Sequence, residues 1–165
     1  MSLAYCPYCH LNYDESSGID RNIHARRHKK WQQVEQTLHY LPRPYAQREE
    51  MKIQAYKLIH EGKTQKEKIQ GCMLLFRAHF DRSLCAAIHN NYWKKHPSFE
   101  QYVTMMDYHE SVVPEDIMKK IRKKYPHKQG YIAPYYSYWL CPDTTGRNQQ
   151  SFQAEKRKRK KTVTS

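Results

Sequence analysis

Near the start of the chain, Cys6, Cys9, His24 and His28 stand in the order C-x2-C-x14-H-x3-H. No other feature restricts the fold so tightly. A CxxC turn points two thiolates at one spot, and histidines four apart lie on one face of a helix. The four side chains can converge on a single ion, the thiolates from the turn and the histidines from a helix on the other side. The spacing therefore predicts a small Cys2His2 ββα zinc finger with one Zn2+. All four tetrahedral positions are filled by protein, so the zinc is structural and not catalytic. Tyr13 is expected under the hairpin, Ser16, Ser17 and Gly18 supply turn and cap residues before the helix, and Ile19 and Ile23 are expected to face inward. His10 is an alternative ligand, although neighbouring residues converge on one ion less easily than an i, i+4 pair.

Residues 5–31 resemble the small zinc finger of the sister-chromatid cohesion N-acetyltransferases. That family's pattern, C-x2-C-x3-Y-x6-D-x2-hydrophobic-H-x3-H-x2-aromatic, is met by Cys6, Cys9, Tyr13, Asp20, Ile23, His24, His28 and Trp31. The likeness covers roughly the first thirty residues. Downstream there is no acetyl-CoA-binding loop of the R/Q-x-x-G-x-G/A type, so acetyltransferase activity is not carried over. Tandem DNA-reading fingers have a middle spacing of about 12 residues and base-contacting side chains along the helix. Here the spacing is longer, and Asp14, Glu15 and Asp20 precede His24. Such acids suit a helix N-terminus and repel phosphate, so sequence-specific reading by this unit alone is not expected.

Charge points to a polyanion at the other end of the chain. The 165 residues carry a formal charge of +13, and residues 111–165 hold 13 basic against 4 acidic side chains. This asymmetry favours nucleic acid, an anionic surface or an acidic protein as partner. The run Lys156, Arg157, Lys158, Arg159, Lys160 and Lys161 resists compact packing and predicts a basic disordered tail. In a eukaryotic chain it reads as a nuclear-import signal, and in a bacterial or phage chain as a nucleic-acid arm in the cytoplasm. Arg26, Arg27, Lys29 and Lys30 follow the finger's histidines, either as a solvated face or as phosphate contacts.

Between these ends the apolar spacing is helical. Trp31, Val34, Leu38 and Leu41 extend the finger helix to about Tyr40. Residues 44–61 form a second helix with Met51, Ala55, Leu58 and Ile59 inward, ended by Gly62. Thr64 to Glu67 is a capping box opening a long helix to about Tyr92, whose stripe includes Cys72 and Cys85 as core residues. Ser98 to Gln101 is a second capping box, for a helix through Met105 and Met106. Pro114, Glu115 and Asp116 open a helix with Ile117 and Ile121 inward and Lys119, Lys120, Arg122, Lys123 and Lys124 outward. Residues 130–142 crowd Tyr and Trp between prolines and read as an extended segment or a short hairpin. Their aromatics serve either as packing or as base-stacking platforms.

The fold class is mainly α: a zinc finger continuous with a helical bundle, then a tail. The boundaries are 1–41 for the finger with its extended helix, 42–142 for the helical domain and 143–165 for the tail. His79 with Asp81, His89 to Asn91, and His109 with Glu110 have the chemistry of catalytic pieces, yet no nucleophile elbow or phosphate loop accompanies them, so no enzyme is expected. A scattered cysteine remainder, no signal peptide and no long apolar run predict a soluble intracellular protein. The expected function is binding of nucleic acid or a nucleoprotein complex by charge. The alternative is a protein-interaction module, such as an adaptor or a mobile-element-encoded inhibitor of a nucleic-acid-binding protein.

Overall fold

The computed structural model describes residues 2–104 and 113–126. The chain opens with a two-stranded antiparallel hairpin, β1 (Leu3–Cys6) and β2 (Leu11–Asp14), in the register Leu3 to Asp14 and Cys6 to Leu11. Helix α1 (Gly18–Leu38) follows, then α2 (Tyr45–Glu61), α3 (Gln65–His89), a single 3-10 turn at Trp93–Lys95, α4 (Phe99–Thr104) and α5 (Glu115–Lys124). The described residues are thus mainly helical. The expected tail at Lys156 to Lys161, the aromatic stretch 130–142, His109, Glu110, Met105 and Met106 lie outside them.

Helix starts follow the residues that signal them. Ser17 caps α1 by accepting from the Asp20 amide at 3.3 Å. At α3, Thr64 accepts from the Glu67 amide at 3.2 Å, and the Glu67 carboxylate accepts from the amides of Lys63 and Thr64, each at 2.9 Å. Ser98 and Gln101 exchange the same pair of bonds at α4, at 3.3 and 3.0 Å. Each satisfies amides that a helix N-terminus leaves without partners.

Helix ends depart from expectation by a turn or less. Helix α1 stops at Leu38, because His39 takes a left-handed conformation (φ 51°) that closes the helix ahead of the prolines. Helix α3 stops at His89, and Asn91 (φ 62°) turns the chain away, asparagine being among the residues that tolerate this region best.

Helix α3 is the hub. Gly71, Cys72, Leu75, Phe76, Ala78, Phe80, Leu84, Ala87 and Ile88 are buried along it, more than one face of an amphipathic helix accounts for. It pairs antiparallel with α2, Arg48 meeting Cys85 near one end and Gly71 meeting Ala55 and Ile59 toward the other. Helices α4 and α5 pack on it through Tyr102, Val103, Ile117, Met118 and Ile121. Trp31 and Val34 of α1 and Cys9 of the hairpin belong to the same apolar cluster, so the hairpin–helix unit shares a core with the helices that follow.

One sequence expectation is overturned here. Ile19 and Ile23 do not face inward: they are 73% and 51% exposed. Helix α1 turns His24, His28 and Trp31 toward the hairpin and the core. At about 100° per residue, Ile19 and Ile23 then fall on its flank.

Candidate metal centre

The four predicted ligands meet. Cys6 ends β1 and Cys9 lies in the turn, which is closed by the His10 amide donating to the Cys6 carbonyl at 2.8 Å, with His10 itself at φ 56°. His24 and His28 come from successive turns of α1. One ligand atom from each of Cys6, Cys9, His24 and His28 lies within 4.8 Å of all the others. Zinc bonds of about 2.3 Å to sulfur and about 2.0–2.1 Å to nitrogen require edges of about 3.3–3.8 Å in a tetrahedron. The Cys6 Sγ to His28 Nδ1 separation is 3.6 Å. The Nε2 of His24 is buried and has no hydrogen-bond partner, a cost of about 1–3 kcal/mol that coordination removes. Two thiols and two imidazoles in this arrangement can hold a metal ion, and the donor set suits zinc.

Aromatic rings and carboxylates fix the ligands. Tyr13 stacks on His24 with centroids 4.1 Å apart, which is the role expected of an aromatic under the hairpin. Tyr8 lies 4.6 Å from the His28 ring and donates its hydroxyl to Glu35 at 2.5 Å. Burial and that carboxylate push the Tyr8 phenol up to about 12, so it stays a donor. Asp20 accepts from the Asp14 amide at 3.0 Å, tying helix to hairpin. Asp14 accepts from the Ser16 hydroxyl and amide and from the Ser2 amide, which together hold its carboxyl below the usual range. Two of the acids that argued against phosphate therefore brace the hairpin.

The two thiols differ. Burial pushes the Cys9 thiol up, and the neighbouring Cys6 sulfur adds to it. At Cys6 burial also pushes upward, but hydrogen bonds from the backbone of Cys9 and Tyr8 outweigh it and leave the thiol below its ordinary value. His10 is not part of the cluster. Its ring packs edge-on against Trp31 at 4.7 Å, and burial together with the charges of Arg27 and Arg48 lowers its pKa.

The basic candidates separate into two kinds. Arg26 and Lys29 are exposed, and Lys30 is half-buried. Arg27 is turned inward: its Nε donates to the Cys9 carbonyl at 2.7 Å, and its guanidinium lies 5.8 Å from the Trp31 ring centroid. On α5, Lys119, Lys120, Arg122, Lys123 and Lys124 are all exposed, opposite buried Ile117, Met118 and Ile121. Lys119 pairs with Glu115 at 3.0 Å, Lys120 reaches the Gln65 side chain, and Lys124 lies 5.6 Å from the Tyr125 ring.

Sequence reasoning named Asp81 only beside His79 as catalytic chemistry, and it passed over a second polar group in the helical core. Asp81, in the middle of an apolar stripe, binds Arg43 and Tyr40. Ser83 and His96 form a hydroxyl–imidazole pair at 2.9 Å, with His96 Nδ1 2.9 Å from the Pro97 carbonyl. Ser83 has no exposed surface among the described residues. An aspartate on an apolar helical stripe is the one signal that foretold the first; nothing in the spacing foretold the second. Among the described residues no helix is long and apolar enough to cross a membrane. No family model, curated protein or solved structure matches this chain.

Proposed function

We propose that Cys6, Cys9, His24 and His28 hold one structural zinc ion in a ββα finger, and that the chain is a small non-enzymatic protein binding nucleic acid or a nucleoprotein complex largely by charge. The metal reading is supported by the convergence of the four donors. A closed Cys2His2 shell contributes folding free energy and leaves no position for chemistry. The resemblance of residues 5–31 to the cohesion acetyltransferase finger agrees with this and adds no activity.

The binding reading rests on the outer face of α5, five exposed basic side chains over buried apolar ones, in a chain of net charge +13. Lysine and arginine on one helical face displace condensed counterions from a phosphate backbone, so affinity falls steeply with salt and carries little base specificity. Mobility shift with duplex DNA, single-stranded DNA and RNA across a salt series is the test. Steep salt dependence supports the reading, and absence of any shift at physiological salt overturns it.

A protein-interaction module is the second reading, favoured by the exposed Ile19 and Ile23 beside Arg26 and Lys30 on one flank of α1. Deleting residues 155–165 separates the two: nucleic-acid affinity collapses on the first reading, whereas binding of a protein partner through the finger survives on the second.

A further inference from the structure

Arg27 stands among the basic residues that the sequence offers to a polyanion, yet its geometry gives it different work. We infer that Arg27 is a positioning residue of the metal centre, linking metal uptake to the seating of α1 on the helical core. The inference rests on the zinc reading of Cys6, Cys9, His24 and His28.

Three observations carry it. Arg27 lies between the two histidine ligands on α1, and its Nε donates at 2.7 Å to the backbone carbonyl of Cys9, a ligand contributed by the hairpin. One side chain therefore ties the CxxC turn to the helix that supplies the other two ligands. Its guanidinium also covers Trp31 at 5.8 Å from the ring centroid, and His10, next to Cys9, packs on the same ring at 4.7 Å. Trp31 is buried in the apolar cluster that includes Cys9, Val34 and the α3 side chains. A continuous path thus runs from Cys9 through Arg27 and Trp31 to α3.

The physical consequence runs in both directions. Hydrogen bonds that orient ligands in the layer behind them set metal affinity, and losing one lowers it by about 10–100-fold. Conversely, a metal that fixes Cys9 fixes the carbonyl against which Arg27 is braced, and with it the cover over Trp31. Arg26, the next residue back, is exposed and provides the matched control.

The test uses the full chain with Co2+ as a visible probe and Zn2+ as competitor, in the wild type, Arg27→Ala, Arg27→Lys and Arg26→Ala. Arg27→Ala is expected to keep the Co2+ band position, since the four ligands are unchanged, while binding both ions about 10–100-fold more weakly. Arg26→Ala should bind as the wild type does. Hydrogen exchange should show the amides of residues 31–38 protected by metal in the wild type and less so in Arg27→Ala. Arg27→Lys keeps the charge and the aliphatic stem but lacks the Nε–H, so it should also lose affinity. If Arg27→Ala fails to fold, the lysine variant carries the test alone. Equal affinity in Arg27→Ala and Arg26→Ala, or full affinity in Arg27→Lys, overturns the inference while leaving the zinc site standing. A wild type that takes up no Co2+ overturns both.

Discussion

Asp81 has no exposed surface, and the guanidinium of Arg43 lies 3.0 Å from its carboxylate. The Arg43 amide donates to the same oxygen at 3.2 Å, and the Tyr40 hydroxyl donates to the other. Burial and the adjacent carboxylate push the Tyr40 phenol up, which keeps it a donor. Arg43 Nη1 also donates to the Tyr40 oxygen at 3.1 Å, closing the network. One carboxylate on α3 thereby fastens the segment between α1 and α2.

Removing the shared acceptor strands several donors at once. Asp81→Ala is expected to cost about 1–3 kcal/mol, the range for leaving buried donors without an acceptor, since the Arg43 guanidinium is partly exposed and can turn to water. Arg43→Ala should cost less, because its side chain is 42% exposed and Asp81 keeps the Tyr40 hydroxyl and the residue 43 amide. Urea denaturation of the two variants measures the order, and a larger loss for Arg43→Ala contradicts this assignment.

Gly71 is where α2 and α3 come closest. A Cβ there would stand 2.8 Å from the Ala55 carbonyl oxygen, 2.8 Å from Leu58 Cβ and 3.1 Å from Ile59 Cγ1. Two of those three atoms are backbone or Cβ and cannot swing away. Gly71→Ala should destabilise the chain by about 1–3 kcal/mol, the usual cost of overpacking, although alanine is the better helix former. At Gly18 the nearest atom to an added Cβ is the Arg21 Nη2 at 3.7 Å, so Gly18→Ala should be neutral or slightly stabilising. Thermal unfolding of both variants tests the contrast.

Burial holds the His96 pKa down to about 3, against a partial upward pull from the Pro97 carbonyl. In the unfolded chain it returns to about 6.5. The folded state therefore binds fewer protons than the unfolded state between these values. The stability from neutral His96 is complete above about pH 6.5 and is lost as the pH falls toward 3, by up to about 1.4 kcal/mol per unit. His96→Gln should flatten that part of the stability–pH curve relative to the wild type. Comparing the two removes the contribution of the thiol and imidazole groups at Cys6, Cys9, His24 and His28, which both chains share. Parallel curves would contradict the assignment.

Among the α5 cations, Lys119 already has an ion pair with Glu115, whereas none of the ion pairs among the described residues involves Lys123 or Lys124. Neutralising Lys123 and Lys124 together should weaken nucleic-acid binding and lower the slope of log affinity against log salt by up to about 0.9 for each phosphate no longer neutralised. Lys119→Ala should change the slope less. Equal effects from all three would mean that the Glu115 pair leaves Lys119 free to meet phosphate.

What could be read from the sequence was set by local chemistry. The CxxC and HxxxH spacings fixed where four donors had to go, and the capping pairs Thr64 with Glu67 and Ser98 with Gln101 marked helix starts, because these interactions span only a few residues. Ile19 and Ile23 misled for the same reason: their spacing is helical, but which flank of α1 meets the core is decided by Trp31, Val34 and the hairpin. Arg27 was grouped with its basic neighbours because charge says nothing of direction. Its position one helical turn before Trp31 was the available hint of a cation–π pair. Asp81 was grouped with His79 as catalytic chemistry; its place on an apolar stripe hinted at a buried partner, but Arg43 and Tyr40 lie about forty residues away in the chain. The pairing of Ser83 with His96 depends on how the chain turns after α3, which no periodicity records.

Metal content is the most direct measurement of the central claim. Elemental analysis of the full chain, alongside Cys6→Ser and His28→Ala, should find one zinc per wild-type chain at the site of Cys6, Cys9, His24 and His28, and substoichiometric zinc in both variants. Wild-type protein without stoichiometric metal, or variants that retain it in full, would contradict the account.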